Sequence, residues 1–228
     1  MDIDDEAPRS YDQYCPITRA VEVLGERWSL LIVRDMLYGF TRFNELGRGT
    51  PGLSRTLLSK RLRQLQNAGI VEHIGGEYLL TKAGEDLRPI VFGLGAWGAR
   101  WQFGDPREAE LDPQLLIWWV HRRLDFSAFG DRRAVLAFRF HDERERYWIV
   151  HDARGHSIYT YDPGFGVDAT IESDLATLYQ VWLGRMPLRT ALRDGSVVVD
   201  GTPGVVRRIS TVLRLSPMAP AVTAAMAV

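Results

Sequence analysis

Residues 53–65 read Leu-Ser-Arg-Thr-Leu-Leu-Ser-Lys-Arg-Leu-Arg-Gln-Leu, and this stretch decides how the first half of the chain is interpreted. At about 100° per residue, its leucines fall on one broad side of a helix. Long cations reach phosphates and guanine edges, and short hydroxyls let a helix approach a groove closely. A face that serves only solubility more often carries Glu–Lys pairs. The other side of this helix mixes cations and hydroxyls, which predicts insertion into a DNA major groove: Arg55, Thr56, Ser59, Lys60 and Arg63.

The charge distribution around this stretch favours a polyanion as partner. The interval between Glu45 and Glu72 contains five basic residues and no acidic residue. The whole chain has 28 basic and 29 acidic residues, and its net charge is -1. A basic face on an otherwise neutral protein is an electrostatic footprint for nucleic acid. The alternative is a solvated helix face, which usually has acidic residues interspersed.

Composition limits the class of protein. The chain has 228 residues, of which 46% are apolar and 25% charged, as in one large or two small globular domains. A single cysteine excludes an internal disulfide framework and a Cys-rich zinc site. No apolar run approaches the ~18–20 residues of a membrane span. Because the N-terminus is acidic and unlike a secretory signal, we expect a soluble, cytoplasmic protein.

Cap and turn signals predict that the basic helix belongs to a winged helix-turn-helix at residues 14–102. Ser54 suits the N-cap of this helix and Gly69 its C-cap. Two short strands, 70–74 and 77–81, flank a Gly-Gly pair and predict a hairpin. Three helices are predicted upstream, the third capped by Thr41. A last helix runs from Thr81 to about Trp101, and Pro89 should break or kink it.

The segment from Tyr14 to Trp101 resembles the HxlR family of bacterial transcriptional regulators, within the MarR-like winged helices. The resemblance covers about ninety residues and includes many motifs in order. Its motifs are Cys15-Pro16, Leu24-Gly25-Glu26-Arg27-Trp28, Arg42-Phe43-Asn44-Glu45-Leu46, Leu53-Ser54-Arg55-Thr56-Leu57-Leu58-Ser59-Lys60-Arg61-Leu62, Gly69-Ile70-Val71-Glu72, Leu80-Thr81 with Gly84, and Trp97-Gly98.

The resemblance implies a homodimer on a palindromic operator, with the helix 54–68 as the reader and the hairpin 70–81 as the wing. Wings in the family are often longer and more basic. The wing here is short and has no Lys or Arg, so its contact with DNA stays open. The DNA-binding candidates are Thr41, Arg42, Ser54, Arg55, Thr56, Ser59, Lys60, Arg63 and His73.

An apolar stripe along the last helix of this domain favours dimerisation. A small domain cannot easily cover two tryptophans by itself, and a partner copy would bury them; coverage by the second domain is the alternative. The same helix is expected to transmit any change from the second domain to the reader helices. The stripe consists of Leu87, Ile90, Val91, Leu94, Trp97 and Trp101.

The pattern changes after a polar linker at residues 103–110. Residues 111–215 combine a short initial helix with alternating strands, which predicts a separate α+β domain with a mostly antiparallel sheet. We expect residues 1–13 to be an acidic disordered N-terminus and residues 216–228 a flexible tail. The expected strands are 134–140, 146–151, 156–161, 167–171 and 196–200, with helical stretches at 173–184 and 203–215.

Residues 112–215 resemble the sterol carrier protein family. The matching motifs are Val167-Asp168-Ala169-Thr170-Ile171, Asp174-Leu175, Trp182-Leu183-Gly184-Arg185, Leu188-Arg189-Thr190-Ala191-Leu192-Arg193-Asp194-Gly195 and Val197-Val198-Val199-Asp200-Gly201. The resemblance implies an apolar cavity between a sheet and helices, used to sense a small-molecule effector. Aromatic residues line pockets as well as cores, so either role stays open for each candidate. The candidates are Trp118, Trp119, Phe138, Trp148, Tyr159, Phe165, Tyr179 and Trp182.

Catalytic motifs are missing from the sequence. It has no Gly-rich phosphate loop, no HExxH helix and no GxSxG elbow. His141, His151 and His156 fit no common zinc spacing, and neither a metal nor a cofactor is expected. Cys15 matches the position where some HxlR relatives sense oxidants, and a helix N-terminus or Arg19 would lower its pKa. A small packing residue is the alternative role.

The sequence therefore predicts a bacterial transcriptional regulator that acts as a dimer, and a repressor rather than an activator. Two other classes stay open. One is a lipid-binding carrier whose winged helix serves only dimerisation. The other is an enzyme with a hydrophobic pocket.

Overall fold

Two compact units divide the chain between Leu94 and Gly95 in the computed structural model, which describes residues 10–130 and 132–226. Most of the predicted disordered N-terminus, residues 1–9, lies outside this described part. Residues 10–14 have no regular secondary structure, and the Tyr11 backbone N–H donates to Glu22 Oε1 at 2.9 Å. None of the described helices is long and apolar enough to cross a membrane.

The first unit is mainly helical and contains a two-stranded hairpin. Its core consists of buried apolar side chains from the second, third and fourth helices and from the first strand, among them Ile32, Leu46, Leu58, Leu62 and Val71. In chain order the elements are α1 Pro16–Leu24, α2 Ser29–Leu37, α3 Phe43–Gly49, α4 Arg55–Asn67, β1 Val71–Ile74, β2 Glu77–Leu80, α5 Lys82–Glu85 and α6 Arg88–Trp101.

Local signals set the bounds of α4 and the hairpin as predicted. Ser54 Oγ accepts a hydrogen bond from the Leu57 backbone N–H at 3.2 Å, which caps α4. Gly75 and Gly76 have φ values of 60° and 85°, the left-handed conformation that a two-residue hairpin turn requires. Strands β1 and β2 pair antiparallel, with Ile74 opposite Glu77. The helix-turn-helix and the hairpin are therefore confirmed.

One predicted helix boundary in this unit is wrong, and the predicted break in the last helix is confirmed. The N-cap of α3 is Arg42 rather than Thr41, because Glu45 Oε2 accepts the backbone N–H groups of both Thr41 and Arg42, at 3.1 and 3.0 Å. The helix predicted from Thr81 is interrupted by a turn at residues 86–87, after α5. Pro89 therefore lies in the first turn of α6, where its missing N–H removes no helical hydrogen bond.

The second unit packs helices on a five-stranded sheet. The sheet has the order β5-β4-β3-β6-β7, and only the β3–β6 pair is parallel, which confirms the expected mostly antiparallel α+β arrangement. One face of the sheet and the helices form the core of this unit. The elements are α7 Pro113–His121, β3 Ala134–Phe140, β4 Arg146–Asp152, β5 Gly155–Tyr159, β6 Ala169–Ser173, α8 Leu175–Trp182, α9 Leu188–Asp194, β7 Val197–Gly201, α10 Pro203–Val206, α11 Ile209–Val212 and α12 Ala219–Met226.

Three parts of this unit differ from the sequence expectation. The stretch predicted as a linker, 103–110, contains a short 3₁₀ turn at Glu108–Glu110 and is bonded to Arg185. The described part of the predicted flexible tail, 216–226, forms α12, whose Ala219 and Val222 are buried. The unit also begins inside α6, where Gly95 leaves room for the side chain of Met218.

Candidate nucleic-acid interface

Helix α4 has one buried and one exposed side. Leu58, Leu62 and Leu65 are at most 1% exposed. On the opposite side Arg55, Thr56 and Arg63 are exposed, and Ser59 and Lys60 are half-buried; Ser54 is exposed at the N-cap. The structure therefore brings six of the nine predicted DNA-binding residues together on the outer side of α4.

Arg55 is held in place by α3. Its Nη1 donates to Asn44 Oδ1 at 3.0 Å, and its guanidinium carbon lies 4.9 Å from the centroid of the Phe43 ring. A cation above an aromatic face is attracted by the ring quadrupole. Sequence reasoning missed Phe43 and Asn44 as positioning residues, although both lie in the quoted Arg42–Leu46 motif. This pairing orients the guanidinium before any ligand binds.

The five cations of the basic stretch are not equivalent. Arg61 is 9% exposed, and its Nη2 lies 2.6 Å from Glu26 Oε2. The remaining donors of Arg61 bond the backbone oxygen of Arg27 at 3.0 Å and Gln64 Oε1 at 2.7 Å. Arg61 therefore serves the fold of the first unit, whereas Arg63 faces solvent.

The start of α3 is tied to the hairpin. The Tyr78 backbone N–H donates to the Thr41 carbonyl at 2.7 Å, and Glu77 Oε1 accepts from Thr41 Oγ1 at 3.3 Å and Arg42 Nε at 3.4 Å. His73 stacks on the Tyr78 ring with 4.3 Å between centroids. Thr41, Arg42 and His73 thus lie on or beside the wing, and Glu77 partly neutralises the charge of Arg42.

A buried carboxylate, that of Asp35 in α2, lies against the end of α3. Asp35 is fully buried, and its Oδ1 accepts from Arg34 Nε at 2.8 Å. Desolvation raises the pKa of Asp35 from 3.8 to about 6, and the Arg34 charge opposes this shift. A Cβ at Gly49 would lie 2.2 Å from Asp35 Oδ2, so only glycine fits at this position. Asp35 therefore packs α2 closely against the end of α3.

The first unit exposes an apolar face along α1 and α6. Ile90 and Leu94 are each 51% exposed, and Ile17 is 72% exposed. These residues border a groove of about 530 Å³. Exposed apolar patches of this kind mark interaction sites. Of the predicted dimer stripe, Leu87 and Val91 are half-buried, and Ile90, Leu94, Trp97 and Trp101 are exposed.

Cys15 is the N-cap residue of α1 and is half-buried. The backbone N–H groups of Thr18 and Ile17 face its sulfur and lower the pKa of the thiol. Its local geometry therefore favours the thiolate, the reactive form of cysteine.

The predicted ligand-binding aromatics of the second unit do not form one site. Trp118, Phe138 and Trp182 are buried side chains, and Phe138 and Trp182 belong to the packed core. Trp148 and Tyr159 pair across β4 and β5 on the other face of the sheet, and the Arg133 guanidinium lies 4.0 Å from the Phe165 ring centroid. Among the described residues of this set, Trp119 and Tyr179 border a common cavity, whose lining contains no strand residue.

Relatedness to known proteins is concentrated in the first unit. The HxlR-like helix-turn-helix family matches residues 23–105. An uncharacterised helix-turn-helix-type transcriptional regulator of Bacillus subtilis, YvaP, is 36% identical over 97 residues, which are 39% of this chain and 90% of YvaP. The chain belongs to the HxlR-like helix-turn-helix family. The region that the family model matches ends at residue 105, near the start of the second unit.

Other HxlR-like relatives are longer than the shared region. The uncharacterised regulator Rv3095 of Mycobacterium tuberculosis is 40% identical over 89 residues, which are 36% of this chain and 56% of that relative. Among solved structures, the putative transcription factor PA1607 is 34% identical and covers 42% of this chain and 72% of its own, with a TM-score of 0.39. Quinone-bound YodB from B. subtilis is 32% identical and covers 38% and 99%, with a TM-score of 0.36.

Proposed function

We propose that this protein is a sequence-specific DNA-binding transcriptional regulator, with α4 as its reader helix. The observation that carries the proposal is the exposed side of α4, where Arg55, Thr56 and Arg63 face solvent while the leucines behind them are buried. In helix-turn-helix proteins the N-terminal residues of the second helix contact base edges. Arg55 occupies this position, and Arg63 lies two turns further along, toward the phosphates.

A symmetric dimer is the second part of the proposal. The groove between α1 and α6 is bordered by Ile17, Ile90 and Leu94, and a second copy would bury this face. Two reader helices must lie about 34–36 Å apart to enter successive major grooves, and a dimer supplies that pair. A charge at the interface should dissociate the dimer, so the variant Leu94→Glu should sediment as a monomer and lose affinity for palindromic DNA.

Duplexes selected from a random library by the purified full-length protein provide the direct test. We expect the double variant Arg55→Ala, Lys60→Ala to bind the selected duplex at least tenfold more weakly than wild type, while its circular dichroism is unchanged. The matched control is Arg189→Ala, which removes an exposed cation from α9. Equal affinity of the double variant and the control would disprove the assignment of α4.

For the second unit we propose effector sensing, and for the regulator as a whole repression. A cavity within the second unit supports the first of these proposals. A dimer that covers a promoter excludes other proteins from it, which is the physical basis of the second. A reporter gene behind the selected operator tests the sign: expression should fall when the regulator is present, and an increase would show activation.

A further inference from the structure

A cavity of about 590 Å³ lies in the second unit between α7, α8 and the segment 102–111. Its volume falls within the range of roughly 300–1,000 Å³ that small-molecule sites occupy. Much of its wall is apolar or aromatic, with contributions from Phe103, Leu111, Leu115, Trp119, Tyr179 and Leu183.

The charged side chains of the wall neutralise one another. Arg107 Nε donates to Glu110 Oε1 at 2.9 Å, and Arg185 Nη2 donates to Asp105 Oδ1 at 3.2 Å. The Tyr179 hydroxyl donates to the Asp112 carbonyl at 2.9 Å, and burial raises the pKa of this phenol, so it stays neutral. A charged ligand would lose its hydration here and find no uncompensated partner, so the wall favours an uncharged ligand.

Two carboxamides supply hydrogen-bonding capacity. Gln102 and Gln180 both line the cavity, and neither side chain bonds another residue within the described part of the chain. Each carboxamide offers donors and an acceptor. A ligand with an apolar ring system and one or two neutral polar groups would match this wall.

One side of the cavity is closed by residues 102–107, which we name the strap. Arg185 fixes it: Nη1 donates to the Gly104 carbonyl, and the guanidinium lies 5.6 Å from the Phe103 ring centroid. The Arg185 side chain is 17% exposed, whereas the Asp105 carboxylate that it pairs with is 89% exposed. The strap follows α6 directly in the chain, because α6 ends at Trp101.

We propose that this cavity binds an uncharged, largely apolar, ring-containing small molecule, and that Arg185 holds the strap closed over it. The site differs from the aromatic set expected from the sequence, of which only Trp119 and Tyr179 line the cavity. The inference deepens the proposed effector sensing of the second unit and rests on it for its biological purpose. Binding itself is independent of DNA.

The test uses two fluorescent probes with the same ring skeleton, and full-length protein without DNA. N-phenyl-1-naphthylamine is uncharged, and 1-anilinonaphthalene-8-sulfonate adds one negative charge. We expect saturable binding of the uncharged probe, with energy transfer from tryptophan, and at least fivefold weaker binding of the sulfonate. Tighter binding of the sulfonate would overturn the proposed ligand class.

Variants locate the probe. Leu183→Trp fills the cavity and should weaken binding of the uncharged probe at least tenfold; Leu115→Phe adds less volume and guards against misfolding of the first variant. The control Leu192→Trp enlarges a half-buried leucine of the same unit that does not line the cavity. Arg185→Met should speed probe dissociation severalfold. Unchanged affinity in both cavity variants, with native circular dichroism, would place the probe elsewhere and contradict the proposal.

Operator affinity, measured with and without the saturating probe, separates the two proposals. If probe binding depends on Leu183, the binding site is confirmed even when operator affinity does not change. In that case only the proposed effector sensing by this ligand class is contradicted. If the probe does not bind, the cavity proposal fails while DNA binding stands.

Discussion

Arg61 Nη2 lies 2.6 Å from Glu26 Oε2, so one cation of the basic stretch neutralises an acid that precedes α2. The same guanidinium bonds the Arg27 carbonyl and Gln64. Arg63, two residues later, is exposed. Two arginines in one helix therefore have different roles: Arg61 joins α4 to the α1–α2 connection, and Arg63 is available to a ligand.

This difference predicts a stability contrast. Arg61→Met should lower the free energy of unfolding by about 1–3 kcal/mol, because hydrogen bonds to a charged group are lost. Arg63→Met is the matched control, and a surface substitution of this kind should change it by less than about 0.5 kcal/mol. Urea denaturation followed by circular dichroism measures both. Equal losses in the two variants would contradict the separate roles.

Sequence reasoning reached the elements whose signals are local. The cap at Ser54, the Gly75-Gly76 turn and the leucine spacing of α4 act within a few residues, so their pattern can be read directly. The helical spacing left Arg61 out of the DNA-facing side that contains Arg63, but it could not assign the partners of Arg61, because only the fold brings Glu26 and Arg27 close. Pro89 correctly predicted a break in the helix. The exact position of the break, at residues 86–87, could not be predicted from the proline alone.

Long-range pairing also explains the errors in the second unit. Residues 103–110 are polar and contain a proline, which is typical of a linker, yet Arg185 bonds them from 81 residues away. Helix α9 was missed because its seven residues were read only as a family motif. The aromatic set was too large to separate core from cavity, since both environments favour the same residue types.

Anchoring of Arg55 by Asn44 predicts coupling between the two in DNA binding. Asn44→Ala should weaken operator binding because the guanidinium of Arg55 loses its 3.0 Å acceptor. In a double-mutant cycle with Arg55→Ala, we expect a coupling energy of about 0.5–1.5 kcal/mol. Fluorescence anisotropy with the selected duplex supplies the four affinities. Additive effects would show that Asn44 does not position Arg55.

Buried Asp35 predicts a pH dependence of stability with a defined sign. Its pKa is about 6 in the folded protein and 3.8 as the ordinary value, so between these values the folded state binds more protons than the unfolded state. Stability from this group is therefore fully present below about pH 4 and is lost as the pH rises to about 6.

The variant Asp35→Asn should remove this loss, which is about 2–3 kcal/mol for a shift of this size. Urea denaturation of wild type and variant at pH 4, 5, 6 and 7 gives the difference in slope and cancels the contributions of other carboxylates. A wild-type protein that gains stability relative to Asp35→Asn over this range would contradict the buried, desolvated state of Asp35.

The lowered thiol pKa predicts the reactivity of Cys15. Alkylation by iodoacetamide should reach half its maximal rate at a lower pH than for a cysteine in an unstructured peptide, because N–H groups of α1 face the sulfur. The Thr18 hydroxyl also bonds the sulfur, so Thr18→Val, which removes it, should move this midpoint upward. If Cys15 senses oxidants, diamide changes operator affinity in wild type and not in Cys15→Ser; identical responses would exclude Cys15 from sensing.

Salt dependence of operator affinity tests the central claim, that the exposed side of α4 binds DNA. The logarithm of the affinity falls linearly with the logarithm of the salt concentration, and each phosphate contact makes this fall steeper by about 0.9. Arg63→Ala should reduce the slope by about one per protomer and weaken all sequences alike. Arg61→Met, whose guanidinium is paired with Glu26, should leave the slope unchanged. A slope that is the same for wild type and Arg63→Ala, or one that falls only in Arg61→Met, would contradict the account.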